Sequence, residues 1–207
     1  TTSKRLDMSV SGWVIMALKG ARAAGVPVRT GTRFRIIKYL DWATEADGRV
    51  RHANKGHGTP VNKKTGRPSY RYGPGMTAVG LYMRSVLGLR LDEPLALKQV
   101  GLLLDDPPSL VRLHSDPTGL HSQYYWYYGT YAVFQATKLS SNEWARWNKA
   151  MKKALIGDGT NRQRMGADAS EDGSWDPVGQ WGLSGGRVYA TAVNALTLEI
   201  YYRYERV

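Results

Sequence analysis

Met8-Ser9-Val10-Ser11-Gly12-Trp13 and Met76-Thr77-Ala78-Val79-Gly80-Leu81 follow one formula: methionine, hydroxyl, small apolar, small, glycine, large apolar. Each opens an apolar run. Gly129-Thr130-Tyr131-Ala132-Val133-Phe134 and Ala190-Thr191-Ala192-Val193-Asn194-Ala195 keep the hydroxyl residue at the same place. A unit that recurs at Ser9, Thr77, Thr130 and Thr191 marks a repeat architecture. The unequal spacing between these hydroxyls fits helix pairs joined by loops of different length.

Each repeat start leads a helical pattern. Residues 8–24 place Trp13, Met16, Ala17 and Gly20 on one face, and Gly12, Ala21, Ala23 and Ala24 keep the rest of the girth small. Residues 186–204 are alike, with Ala190, Ala192, Ala195, Leu196 and Ile200. Helices that are small and apolar around much of their girth are buried ones, so these are predicted as inner helices. Between them lie segments with one wet face. Residues 32–46 mix Phe34, Ile36, Ile37, Leu40 and Trp42 with Arg33, Arg35 and Lys38. Residues 93–104 are apolar and follow Asp92, with Pro94 as a start signal. Residues 141–156 open on a Ser140/Glu143 capping pair and carry Trp144, Trp147, Met151 and Leu155 on one stripe. The predicted fold is all-α: inner/outer antiparallel pairs closing on a final inner helix, about seven helices with no strand run.

Two long loops interrupt the pattern, residues 49–75 and 157–186. Much of the net charge of +12 sits in the first, where Arg49, Arg51, Lys55, Lys63, Lys64, Arg67 and Arg71 occur without an acid. Lys55, Lys63, Lys64, Arg67 and Arg71 are the candidate basic surface. It could meet an acidic protein or an anionic membrane surface, or simply be solvated. With only Tyr70 and Tyr72 close by and no known nucleic-acid module, nucleic acid is a poor fit. The second loop is rich in glycine and tryptophan and contains Asp172-Gly173-Ser174-Trp175-Asp176-Pro177 and Gln180-Trp181-Gly182.

At these residues the chain resembles a known family. An outer helix, then Gln163, then Asp172-Gly173-Ser174-Trp175, then Thr191 opening an inner helix, resembles the QW-type repeat of squalene-hopene cyclases and the related repeats of protein prenyltransferases. The unit ending Asp47-Gly48 and resuming at Thr77 resembles it more loosely, with Arg49 near where an aromatic is expected. Tyr124-Tyr125-Trp126-Tyr127-Tyr128-Gly129-Thr130 and Gly185-Gly186-Arg187-Val188-Tyr189 are similar to cyclase-repeat proteins of planctomycete-like bacteria. The resemblance spans most of residues 7–204 and implies an incomplete α/α toroid. On that reading, residues 1–207 form one domain, either the C-terminal part of a longer chain or an open arc completed by a partner. A bacterial protein is implied, with an extracytoplasmic or envelope setting slightly favoured.

The catalytic signatures of that family are not matched. Asp105-Asp106 lacks the D-x-D-D context and runs into Pro107-Pro108, and a chain without cysteine cannot assemble the prenyltransferase zinc set. His52, His57, His114 and His121 show no helical metal-pair spacing, so neither a metal nor a cofactor is expected. No apolar window reaches the length of a membrane span. Asp7 reads as the N-cap of the first inner helix, and Asp172 as a turn former. Asp176 remains as a weak catalytic candidate.

Thirteen Tyr and seven Trp against two Phe give an aromatic content that mostly carries a polar tip, which suits cavities and interfaces. Five consecutive rings at 124–128 cannot all face one core, so some are predicted to line a concavity. The candidate lining is Tyr125, Tyr128, Trp175, Asp176, Trp181 and Arg187, with an Arg187–Asp176 contact at its edge. The functional expectation is a non-catalytic binding or assembly module. The alternatives are an enzyme on an isoprenoid or carbohydrate substrate, and a basic docking module.

Overall fold

The structure is a computed structural model that describes residues 7–52, 73–116, 119–157, 163–164 and 168–203. In order these form α1 (Met8–Ala23), α2 (Thr30–Ala43), α3 (Pro74–Val86), α4 (Pro94–Leu104), α5 (Leu110–Ser115), α6 (Gln123–Ala136), α7 (Asn142–Leu155), α8 (Gly179–Leu198) and α9 (Ile200–Arg203). Of the described residues 67% are helical, and β pairing among them is confined to isolated bridges such as Thr44–Val50. The fold is all-α.

Two layers organise it. α1 packs on α3, α3 on α6 and α6 on α8, which makes a row of inner helices. α4 backs α3 and α6, and α7 backs α6 and α4. α3 and α6 therefore have neighbours on several sides, and every residue from Gly75 to Ser85 is buried. α2 is tied on more lightly. Arg84 reaches Asp41 at 3.0 Å, and Arg33 donates from Nε and Nη2 to the Leu87 carbonyl at 3.1 and 2.8 Å.

Three of the four hydroxyls that mark the repeats fasten the elements together, while Ser9 donates to Asp7 within its own helix cap. Thr77 Oγ1 accepts the Val50 N–H at 3.4 Å, Thr130 Oγ1 the Trp147 indole N–H at 3.0 Å, and Thr191 Oγ1 the Trp175 N–H at 3.2 Å. Each joins an inner helix to the outer helix or loop that precedes or follows it. Trp147 is fully buried by this arrangement.

Several expectations need correction. α1 and α8 are not mainly buried: Val10, Trp13 and Val14 are 58, 47 and 52% exposed, and Leu183 and Val188 are more open still. They stand at the two ends of the inner row, so each lacks the second neighbour that covers α3 and α6. The helix expected from residue 186 is present, but a further helical segment from Gly179 leads into it across a kink at Gly186, whose φ of 71° only glycine adopts readily. α7 is capped by Ser141, whose side chain accepts the Trp144 N–H, instead of by Ser140. α4 starts after Glu93, while Asp92 pairs with Arg90 at 2.8 Å. The short α5 was not anticipated; Ser109 caps it by accepting the Arg112 N–H at 3.4 Å.

Candidate functional site

The starts of the inner helices share one end of the molecule. Asp7 is the N-cap of α1; its Oδ1 accepts the Ser9 and Val10 N–H groups at 3.0 and 3.3 Å and the Ser9 hydroxyl at 2.6 Å. Gly73 stands before α3 with Pro74 at its first position. Ser122 caps α6 through the Tyr125 N–H. Between these starts and the first turns of α8 lies a concavity of ≈ 500 Å³. Trp13, Tyr124, Trp181 and Tyr189 supply its aromatic wall, Met76 and Leu120 add apolar surface, and Asp7 and His52 form its polar edge.

The wall is braced from behind. Trp13 stacks on Tyr127 with centroids 6.1 Å apart and planes at 16°, and meets Tyr124 and Tyr128 edge-on at 6.4 and 5.6 Å. Trp13 and Trp181 nonetheless remain 47 and 45% exposed. Burial raises the Tyr124 hydroxyl far above its ordinary value and pushes Tyr189 up to about 12, so both stay neutral donors at physiological pH. Burial alone would also raise the Asp7 carboxyl. The Ser9 hydroxyl, His52 at 3.7 Å and the backbone N–H groups outweigh it and hold Asp7 below its usual range.

The six anticipated lining residues divide. Trp181 lines the concavity. Tyr125 and Tyr128 do not: both are fully buried, and the tyrosine that reaches the cavity from this run is Tyr124. Tyr125 donates its hydroxyl to the Asp106 carbonyl at 2.5 Å and to the Leu103 carbonyl at 3.3 Å, which fastens α6 to the end of α4. Tyr128 lies against Trp13, Tyr82 and Tyr124. The run lies at the start of α6, which is surrounded on enough sides to bury rings at successive 100° steps.

Trp175, Asp176 and Arg187 gather beside the Gly186 kink of α8. Arg187 Nη2 lies 2.8 Å from Asp176 Oδ1 and 3.4 Å from Glu171 Oε1, and Arg164 Nε lies 3.3 Å from Asp176. Arg164 also pairs with Glu171. The Arg187–Asp176 contact is thus present, within a cluster of four alternating charges that ties the Gly/Trp-rich loop to α8. Trp175 is buried, donating its indole N–H to the Leu155 carbonyl at 2.9 Å. Trp175 and Asp176 line a separate pocket of ≈ 190 Å³ with Asn194 and Trp126, and two guanidinium partners occupy Asp176.

Of the aromatic wall, Trp13, Tyr124 and Tyr189 are not among the sequence-derived site residues, and neither is the buried His121. Trp13 was read as part of a helix face; its place just after the Ser9 repeat start was the available signal. His121 is buried and accepts N–H groups from Ser109 at 3.1 Å and from the Trp126 indole at 3.2 Å, both on Nε2. Its Nδ1 lies 3.4 Å from Asp106 Oδ1. No sequence pattern announced that arrangement. Lys55, Lys63, Lys64, Arg67 and Arg71 fall outside the described residues. Among the described residues no cluster of three His, Asp or Glu side chains gathers to hold a metal, and no helix is long and apolar enough to cross a membrane.

Comparison with known protein families, curated proteins and solved structures finds no match to this chain.

Proposed function

We propose that this chain is a repeat domain of the α/α-toroid type, as its resemblance to squalene-cyclase and prenyltransferase repeats implies, and that it works as a non-catalytic binding module. The single observation that carries this reading is the concavity where the starts of α1, α3 and α6 meet α8. It offers exposed faces of Trp13 and Trp181, neutral tyrosine hydroxyls, and one polar edge at Asp7 and His52. Its size falls in the ordinary range of small-ligand sites, about 300–1,000 Å³. Aromatic walls of this kind hold apolar chains and flat ring faces, and the hydroxyls fix orientation. An adjoining segment or partner that inserts one apolar side chain meets the same chemistry, so assembly and ligand binding share the site.

Octyl glucoside below its micelle concentration presents both an apolar chain and a sugar face and serves as the probe. Tryptophan fluorescence should respond in the parent protein and not in Trp181→Ala, with melting temperature unchanged because Trp181 is half exposed. An unaltered response in both Trp181→Ala and Trp13→Ala would remove the proposal.

A further inference from the structure

A second groove lies towards the far end of α1, whose 16 residues span about 24 Å at 1.5 Å per residue. It measures ≈ 590 Å³ and is walled by the last turns of α1, the first turns of α2 and the end of α3. Ile15, Leu18, Val28, Ile36, Val86 and Leu87 make its apolar floor. Its rim carries Lys19, Arg22, Arg29 and Arg33, and no carboxylate lines it among the described residues.

Part of this charge has a local reason. The ends of α1 and α3 present carbonyls, which favour cations such as Arg22 and the Arg33 side chain on the Leu87 carbonyl. That reason does not extend to Arg29. It stands at the N-cap of α2, makes no side-chain cap bond, and faces the positive end of that helix, where a cation is disfavoured. An anion in the groove would offset both the uncapped start of α2 and the clustered guanidinium groups.

The shape selects the kind of anion. α2 buries only Leu40 and Ala43, both near its end, and its first half is largely exposed beside the groove. The two bonds from Arg33 to Leu87 hold it there. A groove of ≈ 590 Å³ crossed by these bonds suits an alkyl chain one methylene wide better than a helix about 10–12 Å across.

We infer that the groove between α1, α2 and the end of α3 binds a single-chain amphiphile with a carboxylate head, the chain lying over Leu18, Ile36 and Val86 and the head held by Arg22 and Arg29. The site is independent of the aromatic concavity. Dodecanoate below its micelle concentration, titrated calorimetrically into the purified protein, should bind saturably at one site. The charge reversal Arg22→Glu/Arg29→Glu should weaken binding at least about tenfold, because charge-assisted contacts to the head are replaced by repulsion. Val28→Trp, which fills part of the groove without changing its charge, should weaken it too. Trp181→Ala should leave it unchanged, and that outcome separates this site from the concavity. The inference is overturned by any of four results: no binding of dodecanoate, equal binding of dodecyltrimethylammonium, indifference to both groove variants, or preference for an acidic amphipathic peptide over dodecanoate.

Discussion

Trp175 donates its backbone N–H to the hydroxyl of Thr191 at 3.2 Å. The same bond recurs in the first unit, where Val50 donates to Thr77 at 3.4 Å. Both donors follow an Asp-Gly turn by the same interval, and Gly48 and Gly173 both adopt positive φ, at 94° and 76°. The position of Trp175 is therefore occupied by Val50 in the first unit. Arg49 is not the residue that stands where an aromatic was expected. Replacing Thr77 or Thr130 by valine leaves a donor without its acceptor inside the core, and each should cost about 1–3 kcal/mol. Thr191→Val should cost less, because that site is half-buried. Serine at Thr77 or Thr130 should recover much of the loss. Urea unfolding checks this; equal destabilisation by valine and serine would show that the methyl group, not the hydroxyl, matters.

The repeat hydroxyls and the Asp-Gly turns were legible in the sequence because they act locally, through one bond or one backbone angle. The all-helical class was legible for the same reason, since amphipathic stripes are written residue by residue. The burial of each helix was not. α1 and α3 have similar composition, yet one is largely exposed and the other largely buried, because burial depends on how many neighbours the row supplies. The Tyr124–Tyr128 run misled for the complementary reason. Five rings demand partners in every direction, and only the central position of α6 between α3, α4, α7 and α8 supplies them. Of the proposed site, Trp181 could be read in advance, whereas Trp13 and Tyr189 come together only once the inner helices share an end; the Arg187–Asp176 pair was legible too but lies outside the concavity.

Glycine substitutions should have opposite signs in two inner-row helices. A Cβ on Gly129 would lie 2.6 Å from Cζ2 and Cη2 of the fully buried Trp147, so Gly129→Ala should destabilise by about 1–3 kcal/mol through overpacking. A Cβ on Gly20 meets nothing within 4 Å on the exposed side of α1. Gly20→Ala should instead stabilise by about 0.5–1 kcal/mol, the helix preference of alanine over glycine. Thermal melts of the two variants measure both. A stabilised Gly129→Ala would mean that α6 and α7 do not approach this closely.

Asp7 should make stability depend on acid in a defined direction. Its folded-state value is lowered, so its contribution is fully present above the ordinary carboxyl value of about 3.9 and is lost as pH falls through the lower folded value. Asp7→Asn keeps a capping oxygen and removes the charge, so parent and variant should converge in stability below that window and differ above it. Asp7→Ala removes the cap altogether and should cost about 1 kcal/mol at neutral pH. Melting curves across the acid range provide the check. A difference between parent and Asp7→Asn that stays constant with pH would exclude the charge as its source.

The four-charge cluster at the Gly186 kink of α8 should be weak and sensitive to salt. Asp176 has a side chain 52% exposed and Arg187 one 29% exposed, so solvent screens their 2.8 Å contact. Each also has a second partner, since Arg164 reaches Asp176 and Glu171 reaches Arg187. A double-mutant cycle with Asp176→Asn and Arg187→Gln should therefore give a coupling of about 0.5–1 kcal/mol in dilute buffer. At about 1 M salt, where the screening length falls to about 3 Å, the coupling should shrink towards zero. Trp175→Ala supplies the contrast. It removes a buried ring and the bond to Leu155, and should cost about 3–5 kcal/mol irrespective of salt. If instead the charge pair couples strongly and resists salt while Trp175→Ala is mild, the ion pairs hold this loop and the indole does not.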